Sequence, residues 1–288
     1  MSTRAKTIQI FLPNGDPRGI RIAEITTRIV QVIEVPRIAL DAFQAMPESK
    51  QVAVYYLFEA PEDGTAGRVY IGETGDASKR LKEHDKAKEF WNRALVLISR
   101  TNSLTQTHAL FLEWHCLRIA AQAGRYELEN GTNGSKPHTP APLEADCMEI
   151  FETGQSLLAT LGYPLFDPVA GARRGDASQS TYLCTAAGAD GRGLYTSEGF
   201  VVLAGSSGRR ENVKSVQGTS MERMREKLVA SGVVRIEGDR IVFAKDHLFG
   251  SPSAAAIALL GRSSDGWQTW RLADGRTLYE VHNRGASK

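Results

Sequence analysis

Hydrophobic residues at alternate positions predict short strands at the start of the chain. Alternate positions of residues 8–12 are Ile or Leu, and a Pro-Asn-Gly-Asp turn separates them from a second alternating stretch at residues 20–23. This pattern is typical of a β-hairpin. Residues 28–35 are rich in Ile and Val and precede a proline, which predicts a third strand. The sequence therefore predicts a small β-rich unit over residues 1–46.

A second unit is predicted for residues 47–168, where strands and helices alternate. Its predicted strands are residues 52–58, 68–72 and 94–99. Its predicted helices are residues 77–91, 105–123 and 143–161. Asp76 is placed to cap the first helix, and Gly124 is placed to end the second.

The segment 167–180 is small, polar and turn-prone, and it predicts a linker to a third unit at residues 169–288. The predicted elements of that unit are strands at 181–186 and 199–205 around a Gly-rich connection, a helix at 221–230, a hairpin at 233–244, a helix at 252–260 capped by Ser251, and a final hairpin at 266–281. The predicted fold class is therefore α+β, with three units.

Composition narrows the classes of protein. The chain has 288 residues, of which 42% are hydrophobic and 24% charged, and these values exclude a disordered, collagen-like or disulfide-rich protein. No apolar run approaches the roughly 20 residues of a membrane span, and the first residues lack a secretory cleavage site. We therefore expect a cytoplasmic protein without a membrane partner.

The three cysteines are widely spaced, which favours small buried side chains over a disulfide or zinc site.

Charge is distributed unevenly along the chain, although the net charge is only +2. Residues 51–168 hold 11 basic and 16 acidic side chains, whereas residues 169–288 hold 17 and 12. An acidic middle suits a cation site, and a basic end suits contact with a polyanion such as nucleic acid.

Glu113 is a candidate functional residue because its helix neighbours three and four residues away are Ala109, Leu110, Cys116 and Leu117. A carboxylate on this apolar stripe needs a compensating partner: a basic side chain, a hydrogen-bond network or a metal ion.

Arg80 and His84 stand four residues apart on the predicted helix 77–91, beside several lysines that include Lys79. A guanidinium matches the geometry of a phosphate, and an imidazole can relay a proton. The lysines are typical of a solvated helix face.

These residues fall into an ordered set that resembles the GIY-YIG nuclease family. The set consists of Ala53-Val54-Tyr55, Tyr70-Ile71-Gly72, Arg80, His84, Glu113 and an Asn near residue 130, on a strand, strand, helix, strand, helix pattern. The resemblance covers roughly residues 51–134. The chain departs from it where Ala53 replaces the first glycine and Glu73 replaces a frequent lysine. The last part of the chain resembles a C-terminal domain of unknown function carried by some GIY-YIG proteins, through the segment SPSAAAIALLGRSSDGWQTW.

The resemblance implies a small antiparallel sheet flanked by helices and an endonuclease that hydrolyses phosphodiester bonds with one divalent cation. Glu113 would ligate Mg²⁺ or Mn²⁺, and Arg80 would hold the scissile phosphate. Tyr55 and Tyr70 would position or deprotonate the attacking water, and either of them could be the general base. His84 would assist the proton transfer. Asn130, or alternatively Asn133, would stabilise the site by hydrogen bonding.

The basic C-terminal unit is expected to contact nucleic acid, with DNA as the first candidate. Arg235, Arg240 and Lys245, together with Lys79, are the candidate phosphate contacts. Trp267 and Trp270 are predicted on opposite faces of a strand, so at most one of them would stack on a base.

Several functions are consistent with this set of residues. The first is an endonuclease of defence, restriction or DNA processing, and the second is a structure- or strand-selective repair nuclease. A third, of another class, is a nucleic-acid-binding protein without catalysis, but such a protein would have no chemical need of Glu113.

Overall fold

The computed structural model describes residues 5–59, 67–131, 134–169 and 180–282. They form two compact units, of which the first ends at Asp167 and the second begins at Pro168. Both units combine β-sheets with α-helices, so the predicted α+β class is confirmed. The greater part of the predicted linker, residues 170–179, lies outside the described residues.

The described part of the first unit contains seven strands and four α-helices. The strands are β1 (Ile8–Phe11), β2 (Arg21–Ile25), β3 (Val30–Pro36), β4 (Ala53–Phe58), β5 (Arg68–Thr74), β6 (Arg93–Ser99) and β7 (Glu127–Leu128). The helices are α1 (Leu40–Gln44), α2 (Ala77–Ala87), α3 (Gln106–Ala123) and α4 (Ala141–Thr160). Helix α2 ends four residues before the predicted boundary at residue 91.

All seven strands belong to one sheet, in the order β1-β2-β3-β6-β4-β5-β7. Every pair is antiparallel except β5 with β7, which is parallel. Strand β3 pairs with β6 along its whole length, from Val30 opposite Ser99 to Pro36 opposite Arg93. The sequence analysis separated residues 1–46 from residues 47–168, but this long-range pairing joins their strands in a single sheet.

Helices cover both faces of this sheet, which explains why all of β4 is buried. Val54, Tyr56 and Phe58 pack on the face covered by α3 and α4. Ala53, Tyr55 and Leu57 point to the opposite face, which α1 and α2 cover. The alternation of the strand therefore sends the adjacent tyrosines to opposite sides, and only Tyr55 faces α2.

The described part of the second unit contains seven strands and four α-helices. The strands are β8 (Thr181–Cys184), β9 (Gly191–Thr196), β10 (Gly199–Val202), β11 (Ser207–Arg209), β12 (Val234–Glu237), β13 (Arg240–Phe243) and β14 (His247–Phe249). The helices are α5 (Ser220–Ala230), α6 (Pro252–Leu260), α7 (Gly266–Thr269) and α8 (Leu278–His282). The strands form two sheets, with the orders β14-β10-β9-β8 and β11-β13-β12.

Two sequence predictions in this unit were wrong. The Gly-rich connection contains β9, a central strand whose glycines contribute no side chains to a hydrophobic pattern. The ends of the predicted hairpin at 266–281 are instead the short helices α7 and α8, and only an antiparallel bridge between Arg271 and Thr277 remains at its centre. Trp267 and Trp270 are therefore not on opposite faces of a strand. Trp270 is fully buried and donates its indole N–H to the Pro252 carbonyl at 3.0 Å.

Cys116, Cys147 and Cys184 are free and buried, as predicted. Burial raises the pKa of the Cys116 thiol to about 12, and the Tyr56 hydroxyl lies 3.4 Å from its sulfur. Such a thiol is unreactive at neutral pH. Within the described residues, every helix is too short or too polar to cross a lipid bilayer.

Candidate active site

Tyr55 lies at the centre of the candidate site, opposite Gly72 in the antiparallel pair of β4 and β5. Its ring extends over the glycine so closely that a Cβ atom at residue 72 would lie 2.3 Å from the Tyr55 hydroxyl oxygen. Real Cβ atoms do not approach another atom that closely. Gly72 therefore provides the space that the tyrosine ring occupies.

Helix α2 brings Arg80 and His84 to the Tyr55 hydroxyl. Asp76 is the N-cap of this helix, and its side chain accepts a hydrogen bond from the Lys79 backbone N–H at 3.0 Å. One turn separates Arg80 from His84, so both side chains lie on the same face. Arg80 Nε donates to the Tyr55 hydroxyl at 3.2 Å, and His84 Nε2 lies 2.7 Å from the same oxygen.

The direction of proton sharing follows from the chemistry of these groups. Burial, followed by the charges of Arg80 and Lys88, lowers the pKa of His84 to about 4. His84 is therefore neutral at pH 7. Because Arg80 can only donate, the Tyr55 oxygen accepts its N–H, and the hydroxyl proton is free to point to His84 Nε2.

The Tyr55 hydroxyl is protonated in this arrangement. Burial raises its pKa, and the hydrogen bond from Arg80 opposes that increase without cancelling it. The hydrogen bond to Tyr55, together with one to Glu83, in turn raises the pKa of the Arg80 guanidinium. Arg80 therefore remains a cation beside a neutral phenol and a neutral imidazole.

Tyr70 stands beside this cluster and is only partly buried. Its ring centroid lies 6.2 Å from that of Tyr55 and 5.1 Å from that of His84. The Lys88 ammonium lies 4.4 Å from the Tyr70 ring centroid, within cation–π range. Tyr70 is therefore the more accessible of the two predicted tyrosines, and a cation covers its ring.

Glu113 projects from α3 toward Glu73, the residue that follows Gly72 on β5. Partial burial and the neighbouring Glu73 charge raise the pKa of the Glu113 carboxyl. The peptide group of Glu73 and the Arg80 charge oppose this increase. Arg80 therefore contacts Tyr55 directly and also acts electrostatically on Glu113, which links the two parts of the candidate site.

Asn130 lies just after β7 and binds the backbone of the neighbouring strand. Its side chain accepts a hydrogen bond from the Ile71 N–H at 3.0 Å and donates one to the Ile71 carbonyl at 2.7 Å. The Asn130 amide thus holds the backbone of β5 between Tyr70 and Gly72. Asn133, the alternative, lies outside the described residues.

The sequence analysis missed three side chains that contact the candidate site. Gln106 hydrogen-bonds to the Glu73 carboxylate, Glu83 pairs with Arg80 at 3.0 Å, and Lys88 covers Tyr70. Gln106 precedes Glu113 by seven residues, two helical turns, so helical spacing alone could have placed both on one face. Glu83 and Lys88 carry no comparable signal, because charged residues crowd that helix.

The candidate cation ligands are Glu113 and Glu73. Among the described residues, no group of three His, Cys, Asp or Glu side chains could hold a metal ion. A pair of close carboxylates fits Mg²⁺ or Mn²⁺, because Mg²⁺ is commonly bound through one or two carboxylates, with water and substrate phosphates as the other ligands. These two carboxylates would therefore need water and substrate phosphates to complete the coordination of a hard divalent cation.

The basic residues predicted to contact nucleic acid differ in their availability. Lys79 and Lys245 are exposed. Arg235 is exposed but pairs with Glu237 at 3.3 Å. Arg240 donates to the Gly188 carbonyl at 2.9 Å and to the Ser207 hydroxyl at 2.6 Å. Arg240 therefore links parts of the second unit, and its guanidinium is largely used within the fold.

Comparison with known families identifies part of the second unit. Residues 182–282 match a domain of unknown function, DUF4357. This region runs from β8 to the end of α8 and is about a third of the chain. No curated protein matches the chain significantly, and neither does any solved structure. The DUF4357 region does not include Tyr55, Arg80, His84 or Glu113.

Proposed function

We propose that this protein is a divalent-metal-dependent endonuclease that hydrolyses phosphodiester bonds in nucleic acid, with DNA as the first candidate substrate. The observation that carries the proposal is the Tyr55 hydroxyl, which lies within 3.2 Å of both Arg80 Nε and His84 Nε2. These residues come from two elements, and all were expected from the resemblance to GIY-YIG nucleases. Glu113 lies within electrostatic reach of the same arginine.

Arg80 is suited to hold the scissile phosphate. Its Nε binds Tyr55 and one terminal nitrogen binds Glu83, so the guanidinium is held in place and keeps further N–H donors. A guanidinium also stabilises the negative charge that develops on a phosphate during hydrolysis.

Tyr55 and His84 form a path for one proton. A proton that reaches the buried Tyr55 oxygen from the attacking water would release the Tyr55 hydroxyl proton to His84 Nε2, 2.7 Å away. His84 is neutral above its pKa of about 4, so its Nε2 lone pair is available to the Tyr55 hydroxyl. Tyr70, which is more accessible, would position the water against the phosphate.

Glu113 and Glu73 would hold the cation, which supplies Lewis-acid stabilisation of phosphate oxygens when bound. Burial, followed by the Glu73 charge, raises the pKa of Glu113, so the ionised carboxylate would gain from a bound positive charge. Gln106 is placed to orient Glu73 through its hydrogen bond. This arrangement supports a role for both carboxylates beyond that of surface solvation.

A cleavage assay tests the proposal directly. Purified protein is incubated with end-labelled single- and double-stranded DNA and RNA in Mg²⁺, Mn²⁺ or EDTA. We expect cleavage in either metal and none in EDTA. Stable binding without cleavage in every metal would support the non-catalytic alternative, a nucleic-acid-binding protein.

Arg80→Lys tests whether Arg80 acts on the phosphate through its planar guanidinium or only through its positive charge. Lysine keeps the charge but loses the planar fork and the Nε bond to Tyr55, so we expect turnover to fall by more than about tenfold. Lys82→Ala and Lys86→Ala are controls, because both lysines are exposed on the same helix. They should weaken binding slightly and leave turnover unchanged. Equal losses in all three variants would indicate a diffuse basic surface.

His84 also makes stability depend on pH. Its pKa is about 4 in the folded protein, against about 6.5 in an unfolded chain, so the unfolded state binds more protons between these values. The free energy of unfolding should therefore decrease as pH falls from 6.5 to 4. The shift of the His84 pKa corresponds to about 3 kcal/mol, and the contribution of His84 should level off below pH 4. Urea denaturation at pH 7, 5.5 and 4 measures this change.

His84→Gln is the matched variant for this titration, because glutamine can still hydrogen-bond to Tyr55 but does not titrate. We expect its free energy of unfolding to decrease less than that of the wild-type protein over the same range. His108 and His115 also have lowered pKa values, but both remain in the variant and cancel in the comparison. Parallel pH profiles for the two proteins would contradict the assignment to His84.

A further inference from the structure

The DUF4357 region contains a polar cavity that no predicted function uses. Its volume is about 530 Å³. The walls come from the turn after β8, the loop between α6 and α7, and α7 itself, all within the second unit. The side chains that matter for binding are Arg262, Arg271, Ser263, Thr185 and Gln268.

Neither arginine in this cavity forms an ion pair among the described residues, and the one carboxylate in its wall is that of Asp265. Arg262 forms no ion pair there, and Arg271 makes a single side-chain hydrogen bond, to the Gly275 carbonyl at 3.1 Å. Asp265 lines the same cavity, but its carboxylate accepts the Trp267 N–H at 3.0 Å and caps α7. The cavity therefore contains two guanidinium groups, and most of their N–H donors form no hydrogen bond with the described residues.

The backbone that carries these arginines is held in place on both sides. Gly266, four residues after Arg262, donates its N–H to the Ser253 hydroxyl at 3.0 Å. Arg271 pairs with Leu183 through two backbone hydrogen bonds of 2.6 and 2.9 Å. The loop is thus positioned by the fold, while the ends of both arginine side chains remain exposed. Such preorganisation lowers the entropy lost when a ligand binds.

The chemistry of the walls selects the ligand. Two guanidinium groups, the Ser263 and Thr185 hydroxyls and the Gln268 amide are all hydrogen-bond donors to an anion. Among the residues that line the cavity, none has an aromatic or large apolar side chain that would hold a base or an acyl chain. Arg, Ser, Thr and Gln are typical contacts to the phosphates of nucleic acids.

We propose that this cavity binds phosphodiester groups of the nucleic-acid substrate. The proposal rests on the proposed function for the substrate class, but it assigns the binding to residues outside the catalytic site. It adds Arg262 and Arg271 to the candidate phosphate contacts of the second unit, where Arg235 pairs with Glu237 at the surface and Arg240 hydrogen-bonds to Gly188.

The test measures binding with the full chain in a Glu113→Gln background, so that cleavage does not interfere. Fluorescence anisotropy with a labelled 20-nucleotide DNA duplex is recorded from 50 to 200 mM KCl. Arg262→Gln with Arg271→Gln should raise Kd by about tenfold or more at low salt, and the slope of log K against log salt should fall by about 2. Orthophosphate is added in a separate titration. The proposal would be overturned if millimolar orthophosphate displaced the labelled duplex as strongly as unlabelled DNA at the same phosphate concentration. That result would indicate a site for free phosphate.

The control removes the same charge elsewhere in the second unit. Lys214→Gln with Arg223→Gln alters two exposed residues that do not line the cavity, and should change Kd less than about twofold. Equal weakening by both double variants would overturn the assigned site. Arg262→Lys with Arg271→Lys keeps the charge and should bind within about threefold of the parent. A loss equal to that of the Gln variant would also contradict the proposal.

The outcomes separate this site from the proposed catalysis. If the parent protein binds DNA through the two arginines but the wild-type protein cuts no substrate, the proposed nuclease function fails and the phosphate site stands. If the wild-type protein cuts and the Arg262→Gln, Arg271→Gln variant binds as tightly as its parent, the phosphate site fails and the nuclease function stands.

Discussion

Glu113→Gln should abolish metal-dependent cleavage while the protein stays folded. Glutamine has the shape of glutamate but removes the charge that would attract the cation, so we expect the rate to fall by at least about a hundredfold. Burial, followed by the Glu73 charge, raises the pKa of Glu113, so the variant also removes a partly buried charge that lies near a second carboxylate. Its melting temperature without metal should therefore equal or exceed that of the wild-type protein.

Metal binding provides a second measurement that does not depend on activity. A cation that binds only the folded state raises the melting temperature with concentration. We expect Mn²⁺ to stabilise the wild-type protein and to have little effect on Glu113→Gln. Glu152→Gln is the control, because Glu152 is an exposed carboxylate on α4 of the same unit. Wild-type cleavage by Glu113→Gln, or equal stabilisation by Mn²⁺, would contradict the assigned cation site.

Gly72→Ala should disrupt the site through packing alone. The added Cβ would lie 2.3 Å from the Tyr55 hydroxyl oxygen and 2.5 Å from Cζ, so the ring must move. A displaced ring loses its contacts with Arg80 and His84, and we expect cleavage to fall by more than about tenfold. Overpacking of this kind also costs about 1–3 kcal/mol of stability. Urea denaturation and the cleavage assay measure the two effects.

Gly75→Ala is the matched control for this substitution. Gly75 follows β5, and a Cβ there would meet only Gln106 Oε1, at an ordinary 3.6 Å. It adds the same methyl group three residues away without touching Tyr55, so stability and activity should remain close to the wild-type values. Wild-type stability in Gly72→Ala would mean that the Tyr55 ring moves freely and does not position Arg80 and His84.

Local signals in the sequence predicted many boundaries correctly. Asp76 caps α2, Ser251 caps α6, and Gly124 and Gly261 end α3 and α6 in the left-handed conformation, each with φ of +61°. These features depend on neighbouring residues alone, because a cap satisfies the free N–H or C=O groups of its own helix. The apolar runs of β4 and β6 were likewise recognisable, since helices cover both faces of the sheet.

Features that depend on long-range contacts were not recognisable in the same way. The pairing of β3 with β6 joins segments about sixty residues apart, and their local patterns are those of two separate hairpins. Strand β9 lacks a hydrophobic pattern because of its glycines, yet it lies between β8 and β10. Glu73 follows a recognisable motif, but the sequence does not place it beside Glu113 or Gln106.

The sequence by itself determined which residue types could form the site and which local elements carry them. Tertiary structure alone decided which of them meet. Tyr55 and Tyr56 are adjacent and chemically identical, but strand alternation and the position of α2 bring only Tyr55 to Arg80 and His84, while Tyr56 lies against Cys116. The physical reason is that the spacing of residues along a chain determines the face of an element, whereas the partner on that face depends on how the sheet and helices pack.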